Sequence, residues 1–184
     1  MNKRTMTLVI SLLLVALVAV GGTLAWLMDK TDPVVNTFTA GDVDITLVET
    51  TGDEYHMVPG NTIAKDPKVT VLADSEACWL YVKVEASDNF ADFMEYDMAD
   101  GWNKLAGVDN VFYREVADTD AAQEFAVIKD NSVTVKVDVT KEMMDALEEA
   151  TYPNLTFTAY AIQKANVATA ADGWTALNTP AQAE

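Results

Sequence analysis

The chain has 184 residues, of which 29 are acidic and 12 are basic, so its formal net charge is −17. Nucleic acid and anionic lipid surfaces are bound by cationic faces, so this charge argues against both as partners. Half of the residues are hydrophobic, which favours a folded domain over disorder. The length suits one ordinary domain preceded by an export segment.

The first 25 residues have the composition of a signal peptide. Lys3 and Arg4 precede an apolar run over residues 8–20, and small residues follow. Thr23 and Ala25 stand at the −3 and −1 positions that a signal peptidase requires to be small, so we expect cleavage before Trp26. The expected organisation is a signal peptide at 1–25, an N-terminal arm at 26–40 and a domain at 41–184.

An uncleaved membrane anchor is the alternative for this segment. Residues 6–28 contain no charged side chain and are long enough to span a bilayer as a helix. The glycine pair at 21–22 and the acidic residues after position 28 favour cleavage. Membrane contact is therefore expected only through an uncleaved signal segment.

Period-two alternation of apolar and polar residues dominates the remaining chain and predicts about eight strands. In residues 77–85, Cys78 shares a face with Leu80 and Val82, opposite Trp79 and Tyr81. In residues 131–139, alternation predicts that the four valines point inward. Further strands are predicted in segments 41–49, 67–74, 110–116, 124–130 and 154–164, with a Pro-Gly turn at 58–61.

Two helices interrupt these strands in the prediction. Thr140 is an N-cap candidate for a helix that ends before Pro153. Its apolar face contains Met143, Met144, Leu147 and Ala150. A second helix, at 168–177, offers Trp174 and Leu177 for docking on the domain. The predicted fold class is all-β, an antiparallel jelly-roll or Ig-like sandwich with one or two short helices in the connections.

Groups for catalysis are sparse. His56 is the only histidine, and no HExxH or G-x-S-x-G motif is present. Cys78 is the only cysteine and is predicted to be a core residue. We therefore expect no catalytic residues, no metal and no cofactor. Five aromatic residues are candidates either for core packing or for a carbohydrate-binding groove: Trp79, Tyr81, Trp102, Tyr160 and Trp174.

The segment "GGTLAWLMDKTDPVVNTFTAGDVDITLVE" at 21–49 resembles the TasA–camelysin family of exported proteins of Gram-positive bacteria. Residues 57–71, 77–85 and 155–163 extend the resemblance over most of the chain. The resemblance implies processing by a SipW-type signal peptidase and a jelly-roll-like domain. It also implies export to the cell surface or to a biofilm matrix.

The resemblance further implies assembly into fibres with related subunits, in which the N-terminal arm of one subunit adds as a strand to the next. The donor segment would be residues 26–39, anchored by Val34, Val35 and Phe38 and kept extended by Pro33. We expect a structural or interaction protein rather than an enzyme. The alternatives are a secreted metallo-endopeptidase, the class assigned to the camelysin branch, and a surface adhesin or glycan-binding module.

Overall fold

The structure is a computed structural model that describes residues 43–51, 56–118 and 120–179. Strands paired in antiparallel fashion make up most of this part. They are β1 (Ile45–Val48), β2 (Thr62–Ala64), β3 (Lys68–Val71), β4 (Cys78–Ala86), β5 (Met94–Glu95), β6 (Asn103–Lys104), β7 (Val111–Val116), β8 (Gln123–Ala126), β9 (Ser132–Val135) and β10 (Leu155–Gln163). The helices are α1 (Phe90–Phe93), α2 (Lys141–Asp145) and α3 (Ala170–Asn178).

The strands form three sheets, with orders β1-β3-β8, β10-β4-β7-β6 and β2-β9-β5. The first two sheets share one apolar core, in which Val69 and Val71 of β3 pack with Leu80 and Val82 of β4. Alternation produces this arrangement because every second residue of a strand points to the same face. The prediction of an all-β, antiparallel domain is confirmed, and the packing is compatible with a sandwich. The described residues contain three short helices, where the sequence predicted one or two.

Strand β4 lies at the centre of the four-stranded sheet, between β10 and β7. One of its faces contributes Cys78, Leu80 and Val82 to the core between the sheets. Its other face contributes Trp79 and Tyr81 to a second apolar cluster. The strand is therefore buried on both faces and paired on both edges, and the predicted separation of the two rows is confirmed.

Helix α3 covers the outer face of this sheet. The Thr169 hydroxyl caps the helix by accepting from the Asp172 amide at 3.2 Å. The Trp174 ring lies 5.4 Å from that of Tyr81 and 5.3 Å from that of Tyr160, centroid to centroid. Leu177 packs against the same cluster. The predicted docking of Trp174 and Leu177 is confirmed.

Helix α3 also comes close to the sheet at Gly173. A Cβ atom on Gly173 would lie 2.3 Å from the Tyr81 hydroxyl oxygen and 3.0 Å from Cγ2 of Ile162. The Tyr81 hydroxyl donates to the carbonyl of Ala170 at 2.7 Å. Burial raises the pKa of Tyr81, so the hydroxyl keeps its proton for this bond. The absent side chain of Gly173 is what allows the hydroxyl to reach the helix backbone.

Helix α2 covers the third sheet. Thr140 is its N-cap and accepts from the Met143 amide, as predicted. Met143, Met144 and Leu147 pack against the apolar cluster of this sheet. The helix ends at Asp145 rather than continuing toward Pro153, and a separate 3-10 turn follows at Glu149–Thr151. The assignment of Ala150 to the apolar face is therefore wrong, since Ala150 is exposed.

The inward assignment of Val137 is also wrong, because 83% of its surface is exposed. Strand β9 ends at Val135, and the Val139 amide donates to the carbonyl of Lys136 at 3.4 Å, which closes a turn. Successive side chains point to opposite faces only while the backbone is extended, so alternation in the sequence no longer predicts burial at this turn. Val133, Val135 and Val139 are buried, as predicted.

No helix of the described ranges is long and apolar enough to cross a membrane. The expected signal segment at 1–25, with its anchor alternative at 6–28, lies outside those ranges, as does the arm at 26–40.

Candidate functional site

The residues predicted for processing and assembly lie outside the described residues. These are Thr23, Ala25 and Trp26 at the expected cleavage site and Val34, Val35 and Phe38 of the expected donor segment. Their roles remain predictions.

The two residues weighed for catalysis lie in different surroundings. His56 is exposed and precedes the turn at 58–61, where the Asn61 amide donates to the carbonyl of Val58 at 3.0 Å. Cys78 is fully buried, and this burial raises the pKa of its thiol to about 12. A thiol with so high a pKa is protonated at neutral pH and is a poor nucleophile. In residues 43–51, 56–118 and 120–179, no group of three or more His, Cys, Asp or Glu could hold a metal ion.

The aromatic residues weighed for a carbohydrate groove pack against the protein itself. Tyr81 is fully buried, and Trp79 and Trp102 are each only 9% exposed. Trp79 donates from Nε1 to the carbonyl of Val167 at 3.1 Å. Tyr160 and Trp174 are half-buried against each other. Packing, which was one of the two candidate roles, is therefore what these rings do in the structure.

A polar cleft of about 400 Å³ lies beside strands β5 and β9. Backbone conformation is unusual at its rim, where Asp130 and Asn131 have φ angles of 55° and 49°. Both residues are types that tolerate the left-handed region. The lining residues are Glu95, Tyr96, Asp97, Lys129, Asp130, Ser132 and Thr134.

The longest outermost strand of the described sheets is β10. This strand has nine residues and pairs with β4 without interruption, from Leu155 opposite Ala86 to Gln163 opposite Cys78. It is the outermost strand of its sheet, so β4 is its one partner among the described strands. The other outermost strands have two to four residues.

Strand β10 also lacks the features that normally prevent edge-to-edge pairing. Its sequence LTFTAYAIQ contains no charge, no proline and no glycine, and its register contains no bulge. Proteins usually protect long edges with such features because main-chain groups at an edge can pair with another chain. Phe157 packs into the core on one face and Tyr160 packs near α3 on the other, which holds the strand in place.

A second feature is the environment of Arg114 on β7. Arg114 lies opposite the core residue Leu80, so its side chain occupies an inward position. Its Cζ atom is 3.9 Å from the ring centroid of Phe125 and 5.3 Å from that of Trp102. Its Nε is the one buried side-chain nitrogen or oxygen of the described residues that has no hydrogen-bond partner. Burial lowers the pKa of this arginine, because it disfavours the charged form.

Sequence reasoning missed Arg114, although a signal was present. Alternation in "NVFYREV" places Arg114 in one row with Phe112 and Val116, both of which pack in the core region. A charge in an otherwise apolar row is unusual, because burying an ion without a partner costs free energy. The identities of Trp102 and Phe125 as neighbours required the fold.

Comparison with protein-family models, curated proteins and solved structures found no match to this chain.

Proposed function

We propose that this chain is an exported structural protein of the cell surface or extracellular matrix, whose copies associate by strand addition. In this proposal a SipW-type signal peptidase removes residues 1–25, and the freed segment 26–39 pairs with the β10 edge of a neighbouring subunit. The observation that supports the proposal is the composition of β10 over residues 155–160, which lie on the outermost strand of the sheet and contain no charge, proline or bulge.

The pairing surface we assign is the part of β10 from 155 to 160. In an extended donor, Val34 and Phe38 would fall on one face and Val35 on the other, by the period of two. Main-chain hydrogen bonds would supply most of the affinity, and the apolar side chains would set the register. Such a contact joins two different surfaces, so it repeats head to tail and produces a filament.

We also propose that the sandwich is of the jelly-roll type. Spatial neighbours in its sheets are far apart in the chain, since β4 lies beside β10 and β3 beside β8. Neighbours of this kind support Greek-key connections, from which jelly rolls are built.

Deletion of residues 26–39 tests the donor segment. The exported chain and the deletion variant are compared over a range of concentrations by sedimentation velocity and electron microscopy. We expect filaments or large oligomers from the exported chain and monomers from the variant, with equal melting temperatures. Equal behaviour of the two proteins in every condition would show that strand donation by this segment is wrong.

The substitution Thr156→Lys tests the acceptor edge. Thr156 lies opposite Glu85 on β4, so the new lysine faces a carboxylate and we expect the stability of the domain to be kept. A charge on the edge should reduce assembly strongly. Thr175→Lys, at an exposed position of α3, is the matched control and should assemble like the parent chain. If both variants assemble equally well, the β10 edge is not the acceptor.

The endopeptidase and the glycan-binding module remain alternatives that no contact in the described part favours. Chelator-sensitive cleavage of casein that is lost in His56→Ala would support the first. Binding to a glycan array that Trp102→Ala abolishes without unfolding the protein would support the second.

A further inference from the structure

We infer that Arg114, held between Trp102 and Phe125, is a receptor for a carboxylate of a second copy of this chain. We call these three residues together with Gly101 the Arg114 site. The inference shares with the proposed function only the premise that copies associate, and it concerns a different surface from β10.

Arg114 lacks a counter-charge within the described residues, whereas several lysines have one. Five lysines of the described part form ion pairs: Lys65 with Glu49, Lys68 with Glu124, Lys83 with Glu85, Lys141 with Asp145 and Lys164 with Glu115. Arg114 is half-buried and has no ion pair within the described residues. Lys104, Lys129 and Lys136 likewise form no ion pair in the described part, but only Arg114 among these four cations lies against aromatic rings and has a buried nitrogen without a hydrogen-bond partner.

The position of Arg114 between the rings costs free energy. Burial removes water from the guanidinium, and contact with two aromatic rings compensates for only part of that loss. An apolar residue at the same inward position would avoid the cost. An arginine becomes favourable at this position when a carboxylate reaches its terminal nitrogens, because the planar fork can then donate two parallel hydrogen bonds.

The guanidinium of Arg114 is held in place by its neighbours. Phe125 lies 3.9 Å from its central carbon, and Trp102 is itself fixed by a 2.8 Å hydrogen bond from Nε1 to the carbonyl of Ala126. Gly101, with a φ of 88°, leaves room for Nη2, since a Cβ there would come within 2.9 Å of that atom. A fixed fork loses little entropy when a carboxylate binds, so the site suits recognition.

Charge complementarity points to a second copy as the source of the carboxylate. Two molecules of net charge −17 repel each other, so a contact between them is favoured by a cation that is not already neutralised within its own domain. Acidic side chains are abundant in every copy, and Arg114 is such a cation.

Chemical labelling tests the site directly, because Arg4 and Arg114 are the only arginines of the chain and Arg4 lies in the expected signal segment. Phenylglyoxal should modify Arg114 in dilute exported protein, and mass spectrometry should show at least about tenfold slower modification where sedimentation velocity shows association. Equal rates at all concentrations, or a chain that is monomeric throughout, would overturn the inference.

Substitutions give the second readout. Arg114→Met keeps an apolar chain between the rings and should raise the dissociation constant of self-association at least about tenfold, with the melting temperature within about 4 °C of the parent. Arg114→Lys keeps the positive charge but not the planar guanidinium, so it should weaken self-association less than Arg114→Met does. If Arg114→Met does not fold, the dissociation constant of Arg114→Lys is compared with that of the parent instead. Lys104→Met removes an exposed cation from the adjacent strand and is the matched control.

The outcomes separate this inference from the proposed function. If Arg114→Met and Arg114→Lys associate as tightly as the parent chain, Arg114 only braces its own domain and the inference is wrong. If deletion of residues 26–39 leaves association unchanged while Arg114→Met weakens it, strand donation fails and the Arg114 site stands.

Discussion

Gly173→Ala should destabilise the domain, although alanine is the better helix former. Gly173 lies inside α3, where replacing glycine by alanine ordinarily stabilises by about 1 kcal/mol. Here the added methyl group would lie 2.3 Å from the Tyr81 hydroxyl oxygen, well inside van der Waals contact. Either the tyrosine or the helix must therefore move.

The magnitude follows from the two groups that are disturbed. Overpacking costs about 1–3 kcal/mol, and loss of the buried bond between the Tyr81 hydroxyl and the Ala170 carbonyl costs about 1–3 kcal/mol more. After the gain in helix propensity, the expected net loss is about 3 kcal/mol. For a domain of this size that lowers the melting temperature by about 6–12 °C.

Thermal and urea unfolding, followed by circular dichroism and tryptophan fluorescence, would measure the change. Tyr81→Phe removes the atom that clashes, so Gly173→Ala should cost about 2 kcal/mol less in that background than in the parent. Ala176→Gly, at an exposed position of the same helix, calibrates the propensity term at about 1 kcal/mol. A Gly173→Ala variant that melts higher than the parent would refute the close packing of α3 on the sheet.

Two further predictions concern Cys78 and the end of β9. Burial raises the pKa of Cys78 from 9.0 to about 12, so the contribution of the protonated thiol to stability is complete below pH 9 and is lost as the pH rises toward 12. The fall in the urea midpoint between pH 9 and pH 12 should therefore be smaller in Cys78→Ala than in the parent. A disulfide reagent at about pH 8 should modify the thiol only when the protein unfolds. Rapid modification of the native protein would contradict this. Val137→Thr should change the free energy of unfolding, measured with urea, by less than about 0.5 kcal/mol, because Val137 is exposed. Val135→Thr buries a hydroxyl and should lower the same free energy by about 1–3 kcal/mol. Equal losses in the two variants would contradict the turn after Val135.

The predictable part of the fold is the part with long, regular alternation. The rows of Cys78 and Trp79 on β4 were separable from sequence because nine residues sample the period of two several times. Strands β5 and β6 have two residues each, too few for any period to show, and β2 has only three. At Val137 the alternation in the sequence continues after the strand has ended, so it predicted burial for a residue that is exposed.

The candidate surfaces were less predictable because they depend on strand order. The composition of β10 could be read directly, but its place at the edge of a sheet could not, since alternation does not say which strands are neighbours. Alternation could place Arg114 in an inward row. It could not predict the contact with Phe125, because Phe125 lies on a strand of a different sheet. The processing and donor residues remain sequence predictions.

The pairing of β4 with β10 has a consequence for the order of events in folding. One edge of the central strand β4 stays unpaired until β10 is synthesised, because β10 follows all the other strands of the described residues in the chain. Until then the apolar rows on both faces of β4 have no complete cover, and contacts between distant parts of a chain form slowly. The time needed to fold is thus tied to the C-terminal end, and a chain truncated before Leu155 would leave one edge of β4 unpaired, with β7 as its remaining neighbour.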